Sequence, residues 1–395
     1  MIQIAILGYG TVGSGVYEIL KENQASVAKK AGDSVCVSHI LDIRDFGDHP
    51  EKHLFTKNFN DILEDDAVSV VVEVMGGVEP AYSFTKAALL KGKNVVTSNK
   101  ELVATHGTEL IRLAKENHVN YFFEASVGGG IPIIRPMNQC LAANNIQAVY
   151  GILNGTTNYI LTKMFEEGVA FSEALSEAQA LGYAERNPEA DVEGHDACRK
   201  TAILASLATG KFVDYQDIPT EGITKITITD VQMAEKIGYV IKLIGAAEID
   251  ESGKVSALVA PRLVPKNSQL SGVRDVFNAI MLRGDSLGDV MFYGRGAGKL
   301  PTASAVCADV IDAAKHLHTN KWVIWSVAEE NNMLPQEEQT FCYFVRTADA
   351  HLVDKFPGAS IVGEQDGEMV FTTEEMTEAD FIARAEGRCS FIRIL

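Results

Sequence analysis

Between Gly182 and Lys200 the chain reads GYAERNPEADVEGHDACRK. Among its charged residues, the carboxylates Glu185 and Asp196 and the cation Lys200 are well placed to act together. Residues four apart on a helix share a face, so a helix starting at His195 sets Asp196 beside Lys200. A second carboxylate arrives from the loop after a Gly-Tyr turn. Such a set can move a proton to or from a substrate oxygen, or grip a substrate ammonium. The plainer reading is a helix salt bridge worth roughly 0.3–0.5 kcal/mol. What decides between them lies elsewhere in the chain.

Gly8, Gly10 and Gly13 form G-x-G-x-x-G directly after the apolar run IQIAIL and before a helical stretch, Val12–Lys21. The first glycine permits the tight turn, the second lets backbone approach a pyrophosphate, and the third lets helix and strand pack closely. The helix start then offers N–H groups to the phosphates. This context predicts dinucleotide binding. A second apolar strand ends in Asp42, Arg44 and Asp45. Either aspartate can accept from a ribose 2′-hydroxyl, as for NAD, and Arg44 can pair with a 2′-phosphate, as for NADP. Both cofactors stay open.

These groups need elements to place them. Apolar strands at Val35–Ile43, Val68–Val74, Asn94–Thr97 and Asn120–Glu124 alternate with helices at Pro80–Lys91 and Glu101–Glu116. That alternation predicts a parallel sheet covered on both faces. Gly76-Gly77 and Lys100 then lie beyond the carboxyl ends of strands, where such sheets bind ligands. After about Pro136 the rhythm changes. Strands at Ile146–Leu153, Lys225–Ile228, Ser256–Leu263 and Val276–Leu282 interleave with helices at Asn158–Glu167, Ser172–Leu181, His195–Leu207 and Asp230–Ala246. The expected fold class is therefore α/β: a Rossmann-type dinucleotide-binding domain, a second α+β domain with an open sheet, and a small C-terminal α+β segment. The expected limits are 1–136, completed by about 302–330; 137–301; and 340–395, where a strand, a hairpin across Asp366-Gly367, a helix and a last strand follow.

The loop Glu124–Gly130 (EASVGGG) can turn backbone carbonyls inward, which suits a hard cation as well as a plain active-site turn. Asn154–Asn158 (NGTTN) closes an apolar strand and can bind substrate or cap the next helix. Gly294–Gly298 (GRGAG) precedes a helix and can close over a cofactor or serve as a turn.

Composition narrows the classes. The chain has 395 residues, 46% hydrophobic and 22% charged, with a net charge of −18. These values describe a globular protein of two or three domains. An excess of acid argues against nucleic acid or an anionic membrane as partner. Six scattered cysteines without a CxxC pair fit reduced thiols in the cytoplasm, and no run reaches the roughly 20 apolar residues that span a bilayer. No G-x-S-x-G elbow and no Cys-His pairing stand out, which disfavours acyl-enzyme chemistry.

GYGTVG at the start, TSNK ending at Lys100, EASVGGGIPI at 124–133, GILNGTTNYIL at 151–161, the stretch 182–200 and YGRGAGKLPTASAV at 293–306 run in one order across the chain. Together they resemble homoserine dehydrogenase. The resemblance implies NAD(P)-dependent interconversion of L-aspartate 4-semialdehyde and L-homoserine, on the route to threonine and methionine, by a homodimer whose second domain is the substrate-binding, catalytic and dimerisation domain; assembly into a higher oligomer stays open. It implies that Lys200 donates the proton to the aldehyde oxygen, that Glu185, Asp196 and Asp191 hold homoserine, and that Lys100 contacts cofactor and substrate. Gly10, Thr11, Val12, Gly182 and Gly298 fall where the family touches the cofactor. Glu124, Val127, Gly129 and Ile131 match a monovalent-cation site, usually sodium, built largely from backbone oxygens. The C-terminus departs from the pattern. Its fifty-odd residues after Gln339 are shorter than the usual ACT regulatory domain, which leaves threonine inhibition open, and no aspartate kinase domain is recognised. The alternatives are another semialdehyde or imine oxidoreductase, and a nucleotide-binding regulator without catalysis. The intact Lys200, Asp196 and Glu185 argue against the latter.

Overall fold

A computed structural model describes residues 1–321, 323–328 and 332–395. It divides into two compact units. Positions 322, 329 and 330, within the expected completion of the first domain, lie outside the described residues.

The first unit comprises Met1–Ala143, Thr209–Asp214 and Gly294–Ala328. Its strands are β1 (Ile2–Leu7), β2 (Val35–Leu41), β3 (Phe55–Thr56), β4 (Val68–Glu73), β5 (Asn94–Thr97) and β6 (Tyr121–Phe122). They form one parallel sheet in the order β3-β2-β1-β4-β5-β6. This is the doubly wound order of a dinucleotide-binding fold. β1, β4 and β5 are almost wholly buried because helices cover both faces, which is why they are continuous apolar runs. The last helix of the unit, Lys299–Lys315, packs Ala303, Val306 and Val310 into the same core as Val16 and Val70. The expected strand at 120–124 is only two residues long, because a 3-10 turn at Glu124–Ser126 bends the chain away.

The second unit comprises Asn144–Ala208, Tyr215–Tyr293 and Glu329–Leu395. Its larger sheet contains β7 (Ile146–Ile152), β8 (Tyr239–Ile249), β9 (Val255–Pro265), β10 (Phe277–Gly284), β11 (Gly288–Arg295), β13 (Tyr343–Thr347), β14 (Ser360–Gln365), β15 (Glu368–Thr372) and β17 (Ser390–Ile394). The order is β11-β10-β7-β8-β9-β17-β13-β15-β14, so the C-terminal strands continue the sheet. The seam is short: β17 runs parallel to β9 through Arg393–Arg262 and Ile394–Leu263. Two short strands, β12 (Thr340–Phe341) and β16 (Met376–Thr377), pair separately.

Two expectations fail here. The stretch 225–228 is not a strand: Thr227 caps the helix Ile228–Lys236 in a capping box with Asp230. The helix expected over 230–246 ends at Lys236, and 239–249 is strand β8. Gly238, at φ 85°, turns the chain in a conformation that favours glycine. The run YVIKLIGAAEI then fills the middle of the sheet between β7 and β9, where full burial outweighs the helix propensity of its alanines.

Candidate functional site

In the first unit, the turn after β1 is shaped by its glycines. Gly8 takes φ 96° against Val74 and Met75, and a Cβ at Gly13 would stand 1.9 Å from the Gly8 carbonyl oxygen. A Cβ at Gly10 would meet nothing within 4 Å. The first and third glycines thus close helix onto strand, while the second leaves open space at the helix start. Gly10 is the N-cap of the helix Thr11–Glu22 and supplies no side-chain cap. The leading N–H groups at Thr11, Val12 and Gly13 are therefore available to a phosphate. The residues present fit a dinucleotide pyrophosphate.

At the end of β2 the three charged groups behave differently. Asp42 accepts from the Tyr9 N–H (2.8 Å) and from Arg44 Nε (3.0 Å) and Nη2 (2.8 Å). The Arg44 guanidinium holds the Asp42 carboxyl well below the usual carboxylate range. Asp45 accepts from the Gly47 N–H in a local turn (3.0 Å). Arg44 also donates to the Tyr9 carbonyl (2.8 Å), and more than half of its side chain is exposed.

At the carboxyl ends of β4 and β5, the buried Glu73 accepts from Thr97 Oγ1 (2.6 Å) and from the Met75 N–H (2.8 Å). Burial pushes its carboxyl up. Asn99 donates to the Gly77 carbonyl (2.6 Å) and caps the helix that Lys100 opens. Lys100 is half-buried. Neither Glu73 nor Asn99 was expected in the site; a lone carboxylate ending the run VSVVVE was the available signal.

The loop at 124–131 is tightly packed. A Cβ at Gly129 would stand 2.2 Å from the Gly296 carbonyl, and one at Gly128 would stand 2.5 Å from that of Ile131. The Glu124 carboxylate accepts three backbone N–H groups, from Ile133 (2.5 Å), Ile134 (2.8 Å) and Arg135 (2.7 Å). Asp309 braces the loop from the helix Lys299–Lys315, accepting from the Glu124 N–H (2.9 Å) and pairing with Arg135. Burial, with the Glu124 charge beside it, pushes Asp309 up to about 8 against the pull of Arg135. Among the described residues, the carbonyls of Val127, Gly129 and Ile131 accept no hydrogen bond, although all three residues are buried. Gly298, at φ 116°, is the N-cap of the helix Lys299–Lys315.

In the second unit, Lys200 and Asp196 meet as the four-residue spacing predicts, with Nζ 2.9 Å from Asp196 Oδ2. Lys200 also donates to the Leu153 carbonyl at the end of β7 (2.8 Å), and only 8% of it is exposed. Asn154 ties the cluster together. Its Nδ2 donates to Asp191 Oδ1 (2.7 Å) and Asp196 Oδ2 (3.0 Å), while its Oδ1 caps the helix Gly155–Glu167. Burial, with the Asp196 charge nearby, pushes the Asp191 carboxyl up. Two carboxylates, one ammonium and one amide are thus gathered around the end of β7.

Not every expected group joins the cluster. Glu185 is exposed, and among the described residues its side chain has no hydrogen bond or ion pair; only its backbone carbonyl accepts, from Gln179 (3.0 Å). Gly182, at φ 74°, follows the helix Phe171–Ala180 with open space around it. The loop is nonetheless tied to the site's helix, because Thr156 Oγ1 donates to the Tyr183 carbonyl (2.6 Å).

Known proteins are similar to this chain over most of its length. The homoserine dehydrogenase family profile matches residues 132–311, and the profile of the homoserine dehydrogenase NAD-binding domain matches residues 8–124. The homoserine dehydrogenase of Bacillus subtilis is 43% identical over 320 residues, which is 80% of this chain and 73% of that protein. That of Synechocystis is 46% identical over 317 residues, 79% of this chain and 73% of its own. The crystal structure of a homoserine dehydrogenase from Thiobacillus denitrificans superposes with a TM-score of 0.91 at 34% identity, covering 100% of this chain and 98% of its own. A hyperthermophilic archaeal homoserine dehydrogenase in complex with NADPH superposes with a TM-score of 0.67 at 31% identity, covering 79% of this chain and 97% of that one. The chain belongs to the homoserine dehydrogenase family.

Proposed function

We propose that Lys200 is the proton donor in the NAD(P)-dependent interconversion of L-aspartate 4-semialdehyde and L-homoserine that membership of this family brings. The observation that carries this reading is the setting of the Lys200 ammonium. It is buried and bonded to one carboxylate and one carbonyl, so two of its three N–H donors are engaged. The third is left for a substrate oxygen. The reduced nicotinamide, when bound, supplies the hydride that adds to the aldehyde carbon. As negative charge develops on the aldehyde oxygen, Lys200 stabilises it and passes a proton to it. In the reverse direction the resulting amine takes the hydroxyl proton back. Asp196 supplies the counter-charge throughout, and Asn154 holds Asp196 in place.

Asp191 and Asp196 are assigned to the substrate's ammonium on the family resemblance, since carboxylates accept charge-assisted hydrogen bonds from such a group. Glu185 is assigned to the same group from its exposed loop, and Lys100 to substrate and cofactor, both on the family resemblance. Gly8, Gly10, Thr11, Val12 and Gly13 are assigned to the pyrophosphate, with Gly182 and Gly298 also on the cofactor. Arg44 is assigned to the ribose 2′-phosphate, so NADP is the favoured cofactor. Its exposed guanidinium supports this reading, as does the engagement of Asp42 with Arg44 and Tyr9. The buried carbonyls of Val127, Gly129 and Ile131, with that of Glu124, are assigned to a monovalent cation, sodium in the first instance. The three that accept no hydrogen bond support it, since buried carbonyls ordinarily find a partner. A homodimer working in the cytoplasm, on the route to threonine and methionine, completes the proposal.

The test is oxidation of NADPH and NADH by aspartate semialdehyde, for the wild type and Lys200→Ala. Loss of turnover with NADPH binding retained is expected; normal turnover in the variant overturns the proton-donor assignment. Activity should also rise with added sodium or potassium, and a flat response removes the cation from the proposal. Arg44→Ala should lower the preference for NADPH over NADH, and an unchanged ratio removes Arg44 from the 2′-phosphate.

A further inference from the structure

We propose that the cavity at the seam between β9 and the C-terminal strands is a binding site for a small organic monocarboxylate, anchored by Arg262. The cavity has a volume of about 500 Å³ and lies wholly within the second unit. That is within the roughly 300–1,000 Å³ range of small-molecule sites. Tyr150, Met281 and Arg283 line it from the sheet, and Phe341, Glu375 and Leu395 from the C-terminal segment.

Arg262 and Arg393 are paired residues on β9 and β17, and both are buried. Arg393 is fully accommodated. It donates to Glu378 twice (2.8 and 2.6 Å) and lies 2.9 Å from Glu221. Arg262 is 3% exposed, yet its buried Nε has no hydrogen-bond partner among the described residues, and its guanidinium makes no ion pair there. The charge rests over the Phe341 ring, 5.0 Å from its centre. Burial pulls the guanidinium down to about 10. None of the three carboxylates on the lining pairs with it: Glu248 accepts from the Tyr150 hydroxyl (2.9 Å), Glu375 from Thr340 Oγ1 (3.2 Å), and Asp289 pairs with Arg283 (2.7 and 3.2 Å), so of the three only the Glu248 charge, at longer range, offsets part of the burial of Arg262.

A buried, unpaired guanidinium beside a cavity is a strong anion receptor, because it offers a fork of N–H donors that a carboxylate accepts two at a time. One unpaired cation matches one negative charge. The neighbouring Glu248, Glu375 and Asp289 repel a dianion such as inorganic phosphate, and Met281, Phe341 and Leu395 favour a short apolar tail. A ligand seated there touches both sides of the two-pair seam between β9 and β17, so binding should stabilise the seam.

The experiment is thermal melting of the whole protein with sodium propionate at tens of millimolar, against sodium chloride and sodium phosphate at equal ionic strength. A saturable rise of about 2 °C with propionate alone is expected. Arg262→Met should abolish that rise and should melt no lower than the wild type in chloride, since it removes a buried charge that lacks a partner. No rise beyond chloride, or an equal rise in the variant, overturns the site. So does a lower melting point for the variant in chloride, which means the guanidinium already has a partner. Should the variant fail to fold, titration of carboxyl-labelled propionate into the wild type, followed by NMR, decides. A saturable shift upholds the site, and an unperturbed line overturns it.

Discussion

Two buried lysines in the second unit, Lys200 and Lys242, stand in opposite electrostatic settings. Lys200 is 8% exposed on a helix, with the Asp196 carboxylate at 2.9 Å and a carbonyl at 2.8 Å. Lys242 is 4% exposed on β8 and donates only to neutral oxygens: Asn158 Oδ1 at 3.0 Å and the Val273 carbonyl at 2.5 Å. Its neighbour across the sheet is the cation Arg262. Burial, with the Arg274 charge adding to it, pulls Lys242 down to about 8. Burial alone therefore does not mark a working lysine. The counter-charge one turn away and the carboxylate-rich pocket around it distinguish Lys200 as a proton carrier, while Lys242 is a polar tie between strand, helix and loop.

The sharpest way to break this contrast is kinetic. Lys200→Ala should lower kcat by about 10²–10⁴-fold, the range of a general acid, with the dissociation constant for NADPH unchanged. Lys242→Met should leave kcat within about twofold of the wild type, since its shell holds no group assigned to substrate or cofactor. Steady-state rates with aspartate semialdehyde and cofactor titrations measured by fluorescence check both. Equal losses in the two variants would erase the distinction.

A second effect belongs to Lys242 alone. Its folded value near 8 lies below the unfolded 10.5. Between those pH values the unfolded chain holds a proton that the folded chain has released, so stability rises with pH across that window. The gain is at most about 3 kcal/mol. Below pH 8 both states are protonated and the cost of the buried charge is present in full. Lys242→Met removes the titrating group, so its stability relative to wild type should be more favourable at pH 7.5 than at pH 10. Urea unfolding of both proteins at the two pH values measures it. A difference independent of pH would mean that Lys242 is not depressed.

How much of this was legible depended on distance along the chain. The glycine turn, the apolar strands around it and the pairing of Asp196 with Lys200 are local patterns, set by residues within a turn or a strand of one another. The C-terminal hairpin was readable for the same reason, through Asp366-Gly367. Lys242 was misplaced because LIGAAEI carries helix-forming alanines, and only its position between two strands makes it β; Gly238 was the overlooked stop signal. β11 was missed because it is partly exposed and lacks a clean alternation. The brace from Asp309 to Glu124 and the bridge from Asn154 to Asp191 and Asp196 join residues far apart in sequence, which no local spacing encodes.

The finest test uses two asparagines one turn apart at the start of a single helix. Asn154 serves the Lys200 cluster, holding Asp191 and Asp196 with its Nδ2. Asn158 serves Lys242: its Oδ1 accepts the ammonium, and its Nδ2 donates to the carbonyls of Val273 (3.3 Å), Asp275 (3.0 Å) and Phe277 (3.0 Å). If the two lysines do different work, their asparagines should separate in the same way. Asn154→Ala should lower kcat about tenfold by letting the carboxylates drift, a loss of about 1.4 kcal/mol in transition-state stabilisation. Asn158→Ala should leave kcat nearly unchanged and lower stability by about 1–3 kcal/mol, because it strips partners from buried polar groups. Each variant is measured for both turnover and urea midpoint. Were Asn158→Ala to reduce kcat as much as Asn154→Ala at equal folded fraction, the two clusters would be one coupled network, and Lys242 would have to be counted as a positioning residue for Lys200.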